Sequence, residues 1–316
     1  MNNFKKIGLS ALAGSLVAVS ANALEMSVSG GASLTISDQG NAVEGNTWTM
    51  GDGLTFSASG ETDGGITVST SYTLDGAGGI DAFSLKMGTD SMGTVTFTGD
   101  DGSSALGAVD DVTPNAYEEA WHGAANSATS GTGTVINGLG GDNMFSYTSP
   151  TAAGFTFTAS YLPSSAAGTQ VSSTAIAVAY SPEMVEGLTV GYATGEYDKS
   201  ATTLGLDHST MFATYAYGSL TVGYQQSDID GPTAAASDES TSWAVSYAVS
   251  DDFSVSYGQH EYEQGTDTDT QESSGFSASY TMGGTSIKAA FNSTDNIRAK
   301  ASNDEDSFEI AISFAF

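Results

Sequence analysis

The chain has 316 residues, a formal net charge of −30 and no cysteine. With 37 Asp and Glu against 7 Lys and Arg, it repels nucleic acid and anionic membrane surfaces rather than binding them. The lack of thiols excludes disulfide staples and zinc-thiolate chemistry.

The first element is an address. Lys5 and Lys6 precede an apolar run from Ile7 to Val19, which leads into "SANA" with Ala21 and Ala23 at small-residue cleavage positions. This predicts a cleaved export signal over residues 1–23, because the run is too short for a spanning helix. Residues 24–316 are then one exported domain.

From there the chain alternates. "ITVSTSYTL", "GFTFTASY", "AIAVAY", "LTVGYQQS", "SWAVSYAV", "GFSASYTM" and the terminal "SFEIAISFAF" each place apolar residues at every second position. That period marks strands with one apolar and one polar face, so the fold is expected to be all-β despite a composition close to that of disordered chains. Successive strands are predicted to start near Glu25, Trp48, Gly65, Ala82, Thr94, Asn143, Gly154, Thr174, Leu188, Ser209, Leu220, Ser240, Asp252, Ser274, Gly284 and Ser307. This makes about 16, an even number as bacterial outer-membrane barrels require. Pro114, Pro150, Pro163, Pro182 and Pro232 all lie between strands, where a missing ladder donor does no harm. Short links such as "GS" after Tyr217 and "GG" after Met282 alternate with long polar ones such as "SDIDGPTAAASDES" and "STDNIRAKASNDED". One end of the sheet therefore carries tight turns and the other loops.

A soluble sandwich would need large inward side chains on many strands, but the second face here is Ser, Thr, Gly and Ala. Such a face can line water while Phe, Tyr, Val and Leu meet lipid. Parity aims Lys86, Lys288 and Glu309 inward, and Lys199, Arg298 and Lys300 fall in loops, so no basic side chain is expected on the lipid face. Tyr147, Tyr180, Tyr217, Tyr247 and Tyr280 gather at the turn-side strand ends, as an interfacial belt would. A calcium-repeat solenoid is excluded by the absence of a fixed repeat. A non-conducting structural or adhesive barrel is the alternative; about 16 strands leave an aqueous channel, whereas about eight would be filled by side chains.

One connection stands apart: the segment after the fifth strand, about residues 100–142, carries Asp100, Asp101, Asp110, Asp111, Glu118 and Glu119 with Trp121 and His122. Loops of this length are usually functional or disordered, and "PNAYEEAWHG" suggests a short helix after Pro114. Enzyme chemistry finds no footing. His208 has Asp207 and Ser209 as neighbours, but adjacent residues of a strand point to opposite faces. No nucleophile-elbow, HExxH or phosphate-loop motif is present.

The signal segment, the alternating connection lengths, the longest loop after strand five and the terminal Phe316 together resemble the general-diffusion porins of the Gram-negative outer membrane. The similarity is greatest to the acidic alphaproteobacterial, Rhodobacter-like type. The resemblance covers the mature chain and implies a loop folded into the lumen as a constriction and association as a homotrimer. It further implies outer-membrane lipid and lipopolysaccharide as surroundings, Phe316 as the signal read by the barrel-assembly machinery, and ions and small hydrophilic solutes as cargo. On that pattern the six loop acids form one side of the constriction, and Lys86 and Lys288 are the candidates for the basic wall opposite. Fewer basic residues than the family usually carries implies cation preference. No cofactor is required. Some relatives bridge acid pairs with calcium, for which Asp100, Asp101, Asp110 and Asp111 offer hard oxygen ligands.

Overall fold

The computed structural model describes residues 25–38, 46–76, 79–123, 139–165, 171–198, 205–301 and 303–316. The export signal expected at residues 1–23, and Lys199, lie outside them. Sixteen strands run in chain order: β1 (Glu25–Asp38), β2 (Thr47–Glu61), β3 (Thr67–Asp75), β4 (Gly79–Thr89), β5 (Gly93–Asp100), β6 (Met144–Thr148), β7 (Phe155–Leu162) and β8 (Ser173–Tyr180). The second half continues with β9 (Leu188–Tyr197), β10 (Leu206–Tyr217), β11 (Leu220–Asp230), β12 (Asp238–Ala248), β13 (Phe253–Gln264), β14 (Gln271–Met282), β15 (Thr285–Asp295) and β16 (Glu305–Ala315). Each begins within three residues of its expected position.

Every strand pairs antiparallel with its chain neighbours, and β1 pairs with β16, so the sheet closes on itself. Closure removes both edges and leaves no row of unpaired peptide groups to face hydrocarbon. The terminal residue completes the seam: the Phe316 N–H donates to the Gly30 carbonyl at 2.9 Å, and the Gly30 N–H donates back at 2.8 Å.

The alternation in the sequence becomes an inside and an outside. On β16, Phe308, Ile310, Ile312 and Phe314 look outward, while Ser307, Glu309, Ala311 and Ser313 look inward. On β13, Val255 and Tyr257 look out, and Ser256, Gly258 and His260 are buried inward. Outward aromatics align across strands: Tyr224 opposes Trp243, Tyr257 opposes Phe276, Phe276 opposes Phe291, and Phe291 opposes Phe308. A second row lies at the turn end, where Leu220 sits between Tyr217 and Tyr247, and Tyr280 opposes Phe253. Two aromatic rows bounding an apolar band match the two interfaces of a bilayer.

On the loop side of the upper row the outward positions turn acidic, with Asp228 opposite Glu239, and Glu272 between Glu261 and Asp295. Those strand ends stand above the hydrocarbon. Val222 tests the polarity of the wall, since it lies on β11 midway between the two aromatic rows, flanked on the outer face by Leu220 and Tyr224 and in sequence by inward Thr221 and Gly223. Val222→Arg is expected to destabilise the barrel by about 2–4 kcal/mol, the range for a cation at the bilayer midplane, and Thr221→Arg far less. Urea unfolding in lipid vesicles, followed by the mobility shift of the folded barrel, checks both.

Candidate functional site

The described residues of the connection from β5 to β6, 101–123 and 139–143, fold into the barrel. Its base is closed by reciprocal bonds between Gly102 and Gly141, 3.1 and 2.8 Å, and its first residues are anchored by apolar contact. Ala105, Leu106 and Leu139 bury against inward Ala175 of β8 and Ala193 of β9. The Ala105 N–H donates to Ser160 Oγ of β7 at 2.9 Å, and Ser173 Oγ of β8 donates to the Leu139 carbonyl at 3.1 Å.

Further along, wall side chains take up the loop's peptide groups. Gln225 of β11 accepts from the Val112 N–H at 3.0 Å and donates to the carbonyls of Val109 and Asp110 at 2.8 and 3.2 Å. Ser256 of β13 accepts from Ala116 N–H and Ser277 of β14 from Tyr117 N–H, at 2.9 and 3.0 Å. Asn292 of β15 donates to the carbonyls of Glu119 and His122 at 2.9 and 2.8 Å, and Ser307 of β16 also donates to His122, at 3.1 Å. Trp121 packs against His260 with the rings tilted by 43° and their centroids 4.5 Å apart. Small inward residues make room: a Cβ on Gly223 would lie 2.6 Å from Pro114 Cδ, and one on Gly275 would lie 2.8 Å from Ala120 Cα.

These anchors overturn the short helix expected after Pro114. Residues 114–123 form bends and turns, with the N–H groups of Ala116 and Tyr117 taken up by Ser256 and Ser277 and the carbonyls of Glu119 and His122 by Asn292. Among the described residues of the loop, the one helical turn is a 3-10 turn at Gly107–Val109.

The acids divide by role. Asp100 ends β5 and Asp101 follows in the left-handed region at φ 55°, both at the mouth. The Asp110 carboxylate accepts from the Asp111 N–H at 2.9 Å. Asp111 accepts from the N–H and hydroxyl of Thr113, at 3.0 and 2.8 Å, and from Asn115 at 3.2 Å. Burial raises Asp110 above the ordinary carboxylate range, and burial together with the facing Glu119 carboxyl pushes Asp111 up to about 6. Burial also raises Glu118, which the neighbouring His122 partly offsets. His122 stands between two acids: its Nδ1 lies 3.1 Å from Glu118 and its Nε2 3.4 Å from Glu309 of β16. The Tyr117 hydroxyl donates to the other Glu309 oxygen.

The two lysines part company. Lys288 lies beneath the loop, its ammonium 5.2 Å from the centre of the Tyr117 ring, on the same wall as the acids. Lys86 lies on β4 among the inward hydroxyls of Ser27, Ser57, Ser69, Ser71 and Ser84, lining a cavity of about 460 Å³. It is the single basic residue of β1–β4. Gln225, Glu309 and Asn292 escape a search for charged loop residues. Their signal is parity: each is a large polar side chain at an inward position, on a face where Ser, Thr, Ala and Gly predominate.

A family model for Gram-negative porins matches residues 8–296. Among solved structures, an anion-selective porin from Comamonas acidovorans is similar at a TM-score of 0.69 and 15% identity, covering 93% of this chain and 100% of that one. OmpT of Vibrio cholerae in its trimer form matches at 0.72 and 12%, covering 93% and 99%. A variant Rh. blastica porin matches at 0.68 and 15%, covering 92% and 100%. No curated protein sequence matches the chain. A closed barrel of sixteen strands with a wet inner face and an oily outer one, matched over most of its length by that model, belongs to the Gram-negative porin family of outer-membrane diffusion channels.

Proposed function

We propose that this porin passes ions and small hydrophilic solutes by passive diffusion with a preference for cations, after removal of residues 1–23 as an export signal. One observation carries the reading: the loop hangs its acids inside the barrel on hydrogen bonds to wall side chains, with no Lys or Arg of its own. Fixed carboxylates in a narrow space attract cations and repel anions. A porin that is anion-selective shares this fold, so the sign of selectivity rests on the loop charge and not on the barrel. Lys86 alone offers a counterweight on β1–β4, and Lys288 instead partly neutralises the acids it lies beneath. No nucleophile or cofactor enters the mechanism.

The homotrimer is supported by the outer face of β1 and β2, where Met26, Val28, Trp48 and Met50 are 56–71% exposed and Asp52 lies opposite Ala32 within the same band. An acid there suits a subunit contact better than hydrocarbon. Lipopolysaccharide is the natural neighbour of the acidic strand ends, which divalent cations would bridge to its phosphates, and Phe316 is the segment offered to the assembly machinery.

Reversal potentials measured across a salt gradient at several pH values test the filter. Asp110 and Asp111 have raised values in the folded loop, so each is charged above its own value and neutral below it. Cation preference is therefore expected to be full near pH 8 and to fall as pH drops through about 6. A ratio constant from pH 8 to 5 would remove these acids from the filter.

A further inference from the structure

The last turn of the described loop segment brings one nitrogen and two carboxylate ligands together. Ligand atoms of Glu118, Glu119 and His122 all lie within 4.8 Å of one another, and all three residues are partly open to solvent. Bound tetrahedrally at about 2.0 Å, such donors stand roughly 3.3 Å apart. Partly exposed side chains must therefore close by about 1.5 Å, a matter of rotamers and not of backbone.

A second feature is independent of the cluster itself. A metal-bound imidazole characteristically gives its other ring N–H to a carboxylate, which fixes the tautomer and aims the free lone pair. Here Glu309, from the barrel wall, faces Nε2 at 3.4 Å, and Tyr117 holds its other oxygen. That leaves Nδ1 as the lone-pair nitrogen, on the side where Glu118 lies at 3.1 Å. The segment is also pre-positioned, since Asn292 pins the carbonyls of Glu119 and His122. Glu118, Glu119, Glu309 and nearby Asp111 place four carboxyl groups around this point against one lysine.

We propose that Glu118, Glu119 and the Nδ1 of His122 form a binding site for a divalent transition-metal cation, for which Zn²⁺ is the probe, with Glu309 as the positioning residue that orients the imidazole. One nitrogen and two oxygens suit Zn²⁺ and its first-row neighbours, whereas Ca²⁺ and Mg²⁺ demand more oxygen ligands. Three protein ligands leave a position for water, so the ion exchanges with the lumen. Its charge offsets the acids of the filter and lowers cation preference.

Calorimetric titration of Zn²⁺ into tag-free, detergent-folded protein tests the site without any current, so its outcome is separate from the channel reading. One Zn²⁺ per chain is expected, undisturbed by equimolar Ca²⁺. His122→Ala should lose binding, and Glu309→Gln should weaken it by about 10- to 100-fold while leaving the stoichiometry at one. The mobility shift of the folded barrel confirms that each variant is intact. No binding by the native protein, equal binding by His122→Ala, or displacement by equimolar Ca²⁺ would overturn the proposal.

Discussion

Replacing Asp110 and Asp111 by Asn together with Glu118 and Glu119 by Gln is expected to lower the K⁺/Cl⁻ permeability ratio by about tenfold. A unit charge about 6 Å from a permeating ion is worth roughly 0.7 kcal/mol in water. Four such charges do not act in full, because Asp111 and Glu119 face each other and Lys288 lies close by. Because each charge favours K⁺ and disfavours Cl⁻ by the same amount, one effective charge changes the ratio by about 1.4 kcal/mol, a factor of ten. The effect should shrink at high salt, as screening shortens its reach. Single-channel reversal potentials decide the matter, and an unchanged ratio would place the filter elsewhere. Conductance should change less than selectivity, since Asn and Gln preserve volume and the peptide anchors of the loop.

The second large effect comes from the wall. Gln225→Ala deletes the partner of the Val112 N–H and of the Val109 and Asp110 carbonyls. Unsatisfied peptide groups in such a place cost about 1–3 kcal/mol, which raises the population of displaced loop by about tenfold or more. The expected record is frequent switching between conductance levels, with faster cleavage of the loop by proteinase K. Gln226→Ala is the control. Its side chain faces out and donates to Glu239 at 3.0 Å, so the current should stay quiet. Equal noise in both variants would mean that the loop is not held by the wall at Gln225.

Much of this architecture is legible in the sequence because a barrel wall obeys one local rule. Period-two alternation decides which side each residue of β16 faces, and nothing distant overrides it. The largest offsets in strand starts, at Gly79, Leu206 and Gln271, fall where "GID", "LDH" and "QES" each interrupt the apolar alternation with an acid. The ladder continues there above the aromatic row, and hydrophobic pattern carries no signal for it. The loop is the opposite case. Its composition announces acids, but its path depends on partners more than 100 residues away, such as Gln225 and Glu309. That is why "PNAYEEAWHG" reads as a helix in isolation and lies as a series of bends and turns bonded to the wall in place. The same cause separates Lys86 from Lys288, which share an inward parity but differ in whether the loop passes over them.

The most direct test is the zero-current potential of the native protein in planar bilayers under a tenfold KCl gradient. Stepwise conductance should appear, with the potential signed for K⁺. A barrel that inserts but stays silent, or one whose potential is signed for Cl⁻, would contradict a wet lumen filtered by the acids of its loop.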